Sequence, residues 1–532
     1  MTGGTTTESS VSLTELPIAA AAAGASVPAA GLRAEVLAGR FFSAGHRATS
    51  DALAEFLAIQ AAATLMAWFG GAMLARLGPD RDAIRMALDR DIAAIDAMLA
   101  AQLDAILHTN RLRRFEGSWR GLAWLVDGIE PGGRIKVRLL SAAWSEICRD
   151  LERAPEFDQS HLFRKIYEEE FGTPGGEPYG LLVIDHELRH RPGPGTATDD
   201  ISALKVLAGV VAAAFLPTIL AASPSMLEVD GFGDLANVSD PAAPLRSADF
   251  ARWRGLFTQD DIRFIAVALP HILARGPWHD DPARADFFRY EEYAPDAESR
   301  IWSSAGYALA ATVVRAFAVH AWPADIRGVE TDRRGGGLVD HLPVEAFRTD
   351  PPPYREAVWA RPALDVVLTD RQERLLIDAG FMPLSSIPFT DDAVFGSVRG
   401  LQAPAQYGGA NAAAANANAR LSAQINTLLC VSRFAHYVKM LGRDMVGSFR
   451  TGEDIERELQ KWISNYTNAN SFGGMESRAR YPLVAARVSV RERPGKPGVF
   501  GCTVHMQPYF QLDDVAATFR LVTDIAAPGA RR

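Results

Sequence analysis

Residues 179–195 read YGLLVIDHELRHRPGPG, and the fold turns on whether this stretch is a helix or a strand. His186-Glu187-Leu188-Arg189-His190 fits H-E-x-x-H. In a zinc hydrolase that pattern lies on a helix, with both His on one face and the Glu as general base. Here the apolar run 179–185 leads straight into the motif and reads as a buried strand. Pro192 and Pro194, with Gly193 and Gly195, stop a helix just after it. About one turn is left, too little to fix two imidazoles. In the longer H-E-x-x-H-x-x-G-x-x-H pattern Gly193 fits, but the last position is Thr196, and no Glu occurs between Glu187 and Glu228. A third zinc ligand is therefore missing at short range. The stretch is expected to be a strand ending in a solvated polar loop.

The chain around it is long enough for several domains. Its 532 residues are 48% hydrophobic and 22% charged, as in an ordinary soluble globular protein. The net charge of -9 argues against a general nucleic-acid binder. Cys148, Cys430 and Cys502 are scattered, which suits a reducing cytoplasm. The alanine run near the N-terminus lacks a basic flank, and Glu8 and Glu15 precede it, so a secretory signal is not expected. The stretch 206–222 is apolar but interrupted by Pro217, which predicts a buried helix and then a strand rather than a membrane span.

Residues 1–80 read as an N-terminal extension, disordered over 1–30 and then helical. Over 81–108, Ile84, Leu88, Ile92, Ile95, Leu99, Leu103 and Ile106 step by four and three, which predicts an amphipathic helix with its Asp residues on a solvated face. Residues 81–410 alternate strands and helices. The runs 179–185, 263–269 and 364–369 predict strands covered on both faces, 134–140 (RIKVRLL) a half-exposed strand, and 304–322 a buried helix. Residues 411–532 change character: one long helix or two over 411–449, another over 452–466, and a β-hairpin over 484–508 around RPGKPG. In its second strand Phe500, Cys502, Val504 and Met506 share one face. The class is α/β, mixed with α+β elements.

Other chemistry is thin. Glu168, Glu169 and Glu170 are consecutive, point about 100° apart on a helix and cannot converge, so a solvated helix end is expected. With Glu177 they flank the tight turn carrying Gly175, Gly176 and Pro178. The glycines of 334–341 precede Leu342-Pro343, not a helix N-terminus that could hold an anion. Neither G-x-x-x-x-G-K-[ST] nor G-x-S-x-G occurs. Trp119, in GSWRG, reads as a core anchor whose loss would cost ~3–5 kcal/mol if fully buried. His436 and His505 sit in apolar contexts and read as core histidines.

Several phrases, in order, resemble the large subunit of the type VI secretion contractile sheath: RFEGSWRGLAWLV (114–126), DLERAPEFDQSHLFRKIYEEEFGTPGGEPYG (150–180), AASPSML (221–227), IRGVE (326–330), GGGLVDHLP (335–343), LTDRQERLLIDAGFMPL (368–384), ANARLSAQINTLLCVSRFAHYVKMLGRDMVGSF (417–449) and PGKPGVF (494–500). The family carries a Tyr-Glu-Phe-like phrase where this chain has Asp185-His186-Glu187-Leu188, so the zinc pattern becomes a chance reading.

The resemblance implies a tail-sheath-like structural protein with no cofactor and no catalysis. Its expected partners are a small sheath subunit, copies of itself in six-fold helical rings, an inner tube protein, a baseplate and a disassembly ATPase acting through the small subunit. Nucleic acid and direct membrane insertion are not expected. A sheath protein of another contractile injection particle and a zinc hydrolase are the competing readings. The hairpin residues Val488, Val490, Phe500, Cys502, Val504 and Met506 are expected to knit subunits together. Val504→Pro is expected to spare the heterodimer and abolish long sheaths, and the chain alone is expected to be poorly soluble. Trp119, Gly175, Gly176 and Pro178 are expected to be structural anchors.

Overall fold

A computed structural model describes residues 31–59, 63–171, 173, 175–193, 197–281, 283, 288–329, 335–344, 346–348, 358–360, 362–388, 390–409, 412–445, 451–468, 480–492, 500–508 and 519–525. The disorder expected over 1–30 and the RPGKPG turn fall outside the described residues. Two compact units result: residues up to Leu107 with Trp278–Glu292, and His108–Pro277 with Tyr293–Arg532.

The first unit is helical. It contains α1 (Leu32–Leu37), α2 (Arg47–Ala58), α3 (Ala63–Leu77, broken at Gly70) and α4 (Arg81–Leu107). Ile84, Leu88 and Ile95 of α4 pack on Val36, Trp68 and Phe69, as the apolar stripe requires. The stripe is incomplete, because Ile92 and Ile106 stay exposed. The Asp residues are also not all on a solvated face, since Asp91 lies in the stripe itself, between Leu88 and Ile95. Asp91 is buried and accepts hydrogen bonds from Arg33 Nε (2.7 Å), Arg33 Nη2 (2.6 Å) and Trp68 Nε1 (2.9 Å). Burial would raise its pKa, but Arg33 and Trp68 outweigh that and hold it low.

The second unit is built on a six-stranded sheet of order β1-β2-β3-β9-β10-β6. Its first elements are α5 (Asn110–Asp127), α6 (Trp144–Arg153), α7 (His161–Phe163), α8 (Glu169–Phe171), β1 (Leu182–Leu188), α9 (Asp200–Ala213), β2 (Thr218–Ala222), α10 (Ala251–Leu256), β3 (Ile265–Leu269), β4 (Ile272–Arg275) and β5 (Ile301–Ser303). There follow α11 (Ala305–His320), β6 (Leu338–Val339), the short pair β7 (Ala346–Arg348) and β8 (Val358–Ala360), α12 (Asp370–Asp378), β9 (Met382–Ser386) and β10 (Ala393–Phe395). Strands β1, β2, β3 and β9 run parallel, and β10 and β6 close the far edge antiparallel.

Both faces are covered, and the alternation along β3 shows how. Ile265, Val267 and Leu269 pack with Leu204, Leu207 and Val211 of α9. Ala266 and Ala268 pack on the other side with Tyr307, Leu309 and Val313 of α11. That is why these strands read as unbroken apolar runs.

The C-terminal part has α13 (Ala412–Ser422), α14 (Ile425–Met445), α15 (Gly452–Ser464) and the antiparallel strands β11 (Leu483–Glu492), β12 (Phe500–Pro508) and β13 (Phe519–Ile525). Phe434 and Val438 of α14, Ile455, Leu459 and Ile463 of α15, and Val488, Val504 and Met506 share one core. Among the described residues no single helix is long and apolar enough to cross a membrane.

Two sequence expectations fail for one reason. Residues 134–140 belong to no strand, and 364–369 make only one bridge, Leu364 with Ile272, before α12 begins. Alternation or apolarity marks a chain that could join a ladder, but a ladder also needs a neighbour. Residues 364–369 instead lead from the Leu364 bridge with β4 into α12, with the hydroxyl of Thr369 capping the helix at Gln372 N (3.3 Å).

Candidate functional site

The H-E-x-x-H residues lie at the carboxyl end of β1, which runs on through Leu188 rather than stopping before the motif. Successive strand residues face opposite ways, and His186 and Glu187 find different partners. His186 Nε2 meets Asp200 Oδ2 at 2.9 Å, and its ring stacks on Trp144 at 4.5 Å. Asp200 also accepts from Trp144 Nε1 (2.8 Å), Thr198 Oγ1 (2.9 Å) and Arg189 N (3.0 Å). Burial would raise the Asp200 pKa, but these donors, His186 first, hold it low.

Glu187 belongs to a second cluster. His271, at the β3–β4 turn, meets Glu187 Oε1 through Nε2 at 2.9 Å and Asp365 Oδ2 through Nδ1 at 2.8 Å. Its backbone N–H also donates to Asp365 Oδ1 at 3.1 Å. Burial would lower the His271 pKa, but the two carboxylates raise it to about 10. The imidazolium in turn holds Glu187 low against its desolvation, while burial dominates at Asp365 and raises it. The arrangement ties the ends of β1 and β3 to the loop before α12. It presents no nucleophile.

His190 is buried and stacks on Phe250 at 4.0 Å, so the segment after β1 is not the solvated loop expected. Its pKa is pushed down by burial. The two motif imidazoles thus serve different neighbours. Among the described residues no group of three or more His, Cys, Asp or Glu is arranged to hold a metal ion. His436 is buried and meets the Ala214 carbonyl at 3.1 Å, with its pKa pushed down to about 3 by burial, whereas His505 is exposed.

The carboxylates of 168–177 are not simply solvated either. Glu170 is buried, pairs with Arg138 and accepts from Glu177 N at 2.8 Å. The turn between makes this possible. Gly175 has φ +82°, and a Cβ on Gly176 would lie 2.1 Å from the Glu170 carbonyl oxygen. Pro178 follows, half-buried.

Trp119 is 51% exposed and is not a core anchor. The buried face of α5 is made by Gly117, Gly121 and Leu125. A Cβ on Gly117 would lie 2.0 Å from the Trp302 carbonyl oxygen of β5, so the small residues decide which side packs. Trp119 projects elsewhere and meets Phe115 edge-on at 6.2 Å. The spacing Gly117-x-x-x-Gly121 was the available signal.

In the C-terminal sheet Val488, Val490, Cys502, Val504 and Met506 are buried, and Phe500 is half-buried against the same core. The expected free edge on the second hairpin strand is absent. β12 is the central strand, paired with β11 through Val488–Val504 and with β13 through Val504–Leu521. β13 was missed in the sequence, and its pairing changes what Val504→Pro would do. The outer side of β11 is met by α15. Gln460 Oε1 accepts from Val488 N (2.8 Å), Gln460 Nε2 donates to the Ala486 carbonyl (3.1 Å), and Glu456 Oε2 accepts from Val490 N (2.8 Å). These side chains occupy groups that a fourth strand would use.

Residues 89–402 match the family model described as "EvpB/VC_A0108, tail sheath N-terminal domain". Residues 414–525 match that described as "EvpB/VC_A0108, tail sheath gpW/gp25-like domain". A curated relative, the type VI secretion system sheath protein TssC1 of Pseudomonas aeruginosa, is 35% identical over 449 residues, covering 84% of this chain and 86% of the relative. A solved baseplate structure of the anti-feeding prophage aligns over 76% of this chain and 83% of its own at 12% identity and TM-score 0.31.

Proposed function

The chain belongs to the type VI secretion contractile-sheath family, and from that premise we propose that it is the large sheath subunit. In this reading it pairs with a small sheath subunit and stacks in six-fold helical rings around an inner tube, on a baseplate in the cytoplasm. Contraction then drives the tube outward, and a partner ATPase recycles the sheath through the small subunit. The observation that carries the reading is the ordered pair of tail-sheath matches over 89–402 and 414–525.

The physical features are compatible with it. With no phosphate-binding loop in the sequence, the chain would store energy at assembly. A polymer does so when many interfaces each differ by roughly a few kcal/mol between two states. The division proposed is an extension over 1–80, a body over 81–410 and a contact region over 411–532. The C-terminal strands supply subunit contacts, with the buried face of Val488, Val490, Cys502, Val504 and Met506 holding the sheet in place.

Co-expression with the small subunit, followed by negative-stain imaging, tests this. Helical tubes are the expected result. A soluble monomer that ignores the small subunit would overturn it.

A further inference from the structure

Residues 134–140 failed as a strand of this chain, and the manner of the failure is informative. From Ile135 to Ala142 the segment has no helix, turn or bend, and among the described residues no backbone hydrogen bond joins 134–142 to another segment. It alternates, but with its faces reversed. Lys136 Nζ reaches Glu177 at 2.6 and 2.7 Å, and Arg138 pairs with Glu170 and with Tyr179 Oη at 3.0 Å. The basic side is therefore fastened to the chain's own carboxylates. The other side carries Val137, 48% exposed, and Leu139, 64% exposed, with Ile135 half-buried; Leu140, 54% exposed, falls on the side of Lys136 and Arg138. A finished half-buried strand does the opposite and turns its apolar side inward.

Two needs are thus unmet along one short segment: a row of free N–H and C=O groups, and a bare apolar face. An added β-strand pairs the backbone and sets its own apolar side chains beside Val137 and Leu139, whereas a docked helix would cover the apolar face and leave the backbone unpaired. The ion pairs already tether Lys136 and Arg138, so a partner has less left to order. Charge selects among partners. Arg134, Lys136 and Arg138 would meet like charges if a second copy of the same stretch paired with it. Arg134 is exposed and, among the described residues, has no carboxylate partner.

We propose that residues 134–140 are a docking edge for a strand from a different protein chain, apolar at alternate positions and carrying a carboxylate opposite Arg134. The identity of that chain as the small sheath subunit rests on the function proposed above.

Hydrogen exchange on the chain alone, on its heterodimer with the small subunit and on assembled sheaths tests this. The amides of 134–140 should exchange freely in the chain alone and slow by about a hundredfold or more in the heterodimer. Val137→Pro removes an N–H that makes no bond here and suits extended backbone. It should leave thermal unfolding of the chain unchanged and weaken the heterodimer at least tenfold. Leu139→Glu, which keeps every backbone donor, should weaken it too. Failure of any heterodimer to form would break the sheath reading itself. A heterodimer with 134–140 unprotected would break only this inference. Protection already present in the isolated chain, or gained only in assembled sheaths, would also overturn it, by pointing to internal pairing or to a second copy.

Discussion

The two larger sheets of the second unit end in different ways. The body sheet is finished from within the chain. Its central strands are buried on both faces, and the charges at its carboxyl ends are paired: His186 with Asp200, and His271 with Glu187 and Asp365. The C-terminal sheet has one apolar face on a core and a polar second face, and side chains from α15 stand in for a strand on one edge. A sheet closed by buried charge is fixed. A sheet closed by two side chains can be reopened at modest cost.

The largest effect should come from breaking the body's closure. His271→Ala leaves Glu187 and Asp365 without their shared cation, and removing one partner of a buried ionic group costs about 3–5 kcal/mol. Denaturant unfolding of the heterodimer would show it. The pH dependence has a definite sign. His271 has its pKa raised to about 10, so its contribution is complete below its ordinary value near 6.5 and is lost as pH rises through about 10. Glu187 is held low, so its contribution is lost as pH falls through that depressed value. The parent should weaken between about pH 6.5 and 10, and His271→Ala should flatten that slope. An unchanged slope would show that the cluster is not what closes the sheet.

Next is Val504→Pro. Because β12 is central, proline removes a ladder donor between two strands, at about 3 kcal/mol or more. The C-terminal sheet should unravel and the heterodimer should be lost with it, in contrast to the outcome expected when the strand was read as an edge. Co-purification checks this. A surviving heterodimer without long sheaths would restore the edge role.

Smaller still is the α15 cover. Gln460→Ala and Glu456→Ala should each cost about 1 kcal/mol by exposing backbone groups of β11 to water. The informative readout is assembly: if these side chains guard the edge, the double variant should associate or aggregate faster in light scattering. Unchanged association would mean that β11 is not an edge other chains seek.

What the sequence disclosed follows the same divide. Strands β2 and β3 and helix α11 were legible because burial on both sides leaves an unbroken apolar record. The pairing of 134–140 was not, since alternation records faces and says nothing about whether a neighbour exists. Nor was the ionic cluster, whose members lie 84 and 94 residues from His271. β13 escaped because FRLVTDI mixes charges into a short run. The H-E-x-x-H residues were expected in a polar loop after the strand, but His186, Glu187 and Leu188 belong to β1, with His186 against Trp144 and Asp200, and His190 is buried against Phe250, partners which no local pattern names.

The smallest expected effect inverts side-chain size. Trp119 was expected to anchor the core at ~3–5 kcal/mol. Half exposed, and touching Phe115 rather than the interior, it should lose no more than about 0.5–1 kcal/mol when changed to Ala. Two residues away, Gly117→Ala adds one carbon that would lie 2.0 Å from the Trp302 carbonyl oxygen, a backbone atom that cannot swing aside. Forcing α5 off β5 should cost about 1–3 kcal/mol. The smallest residue on the helix should therefore matter more than the largest. Denaturant midpoints of the two variants, measured on the same heterodimer, decide it. If Trp119→Ala proves the more damaging, the outer side of α5 is covered in the assembled particle rather than exposed. The deficit should then vanish when stability is measured on the chain without its partners.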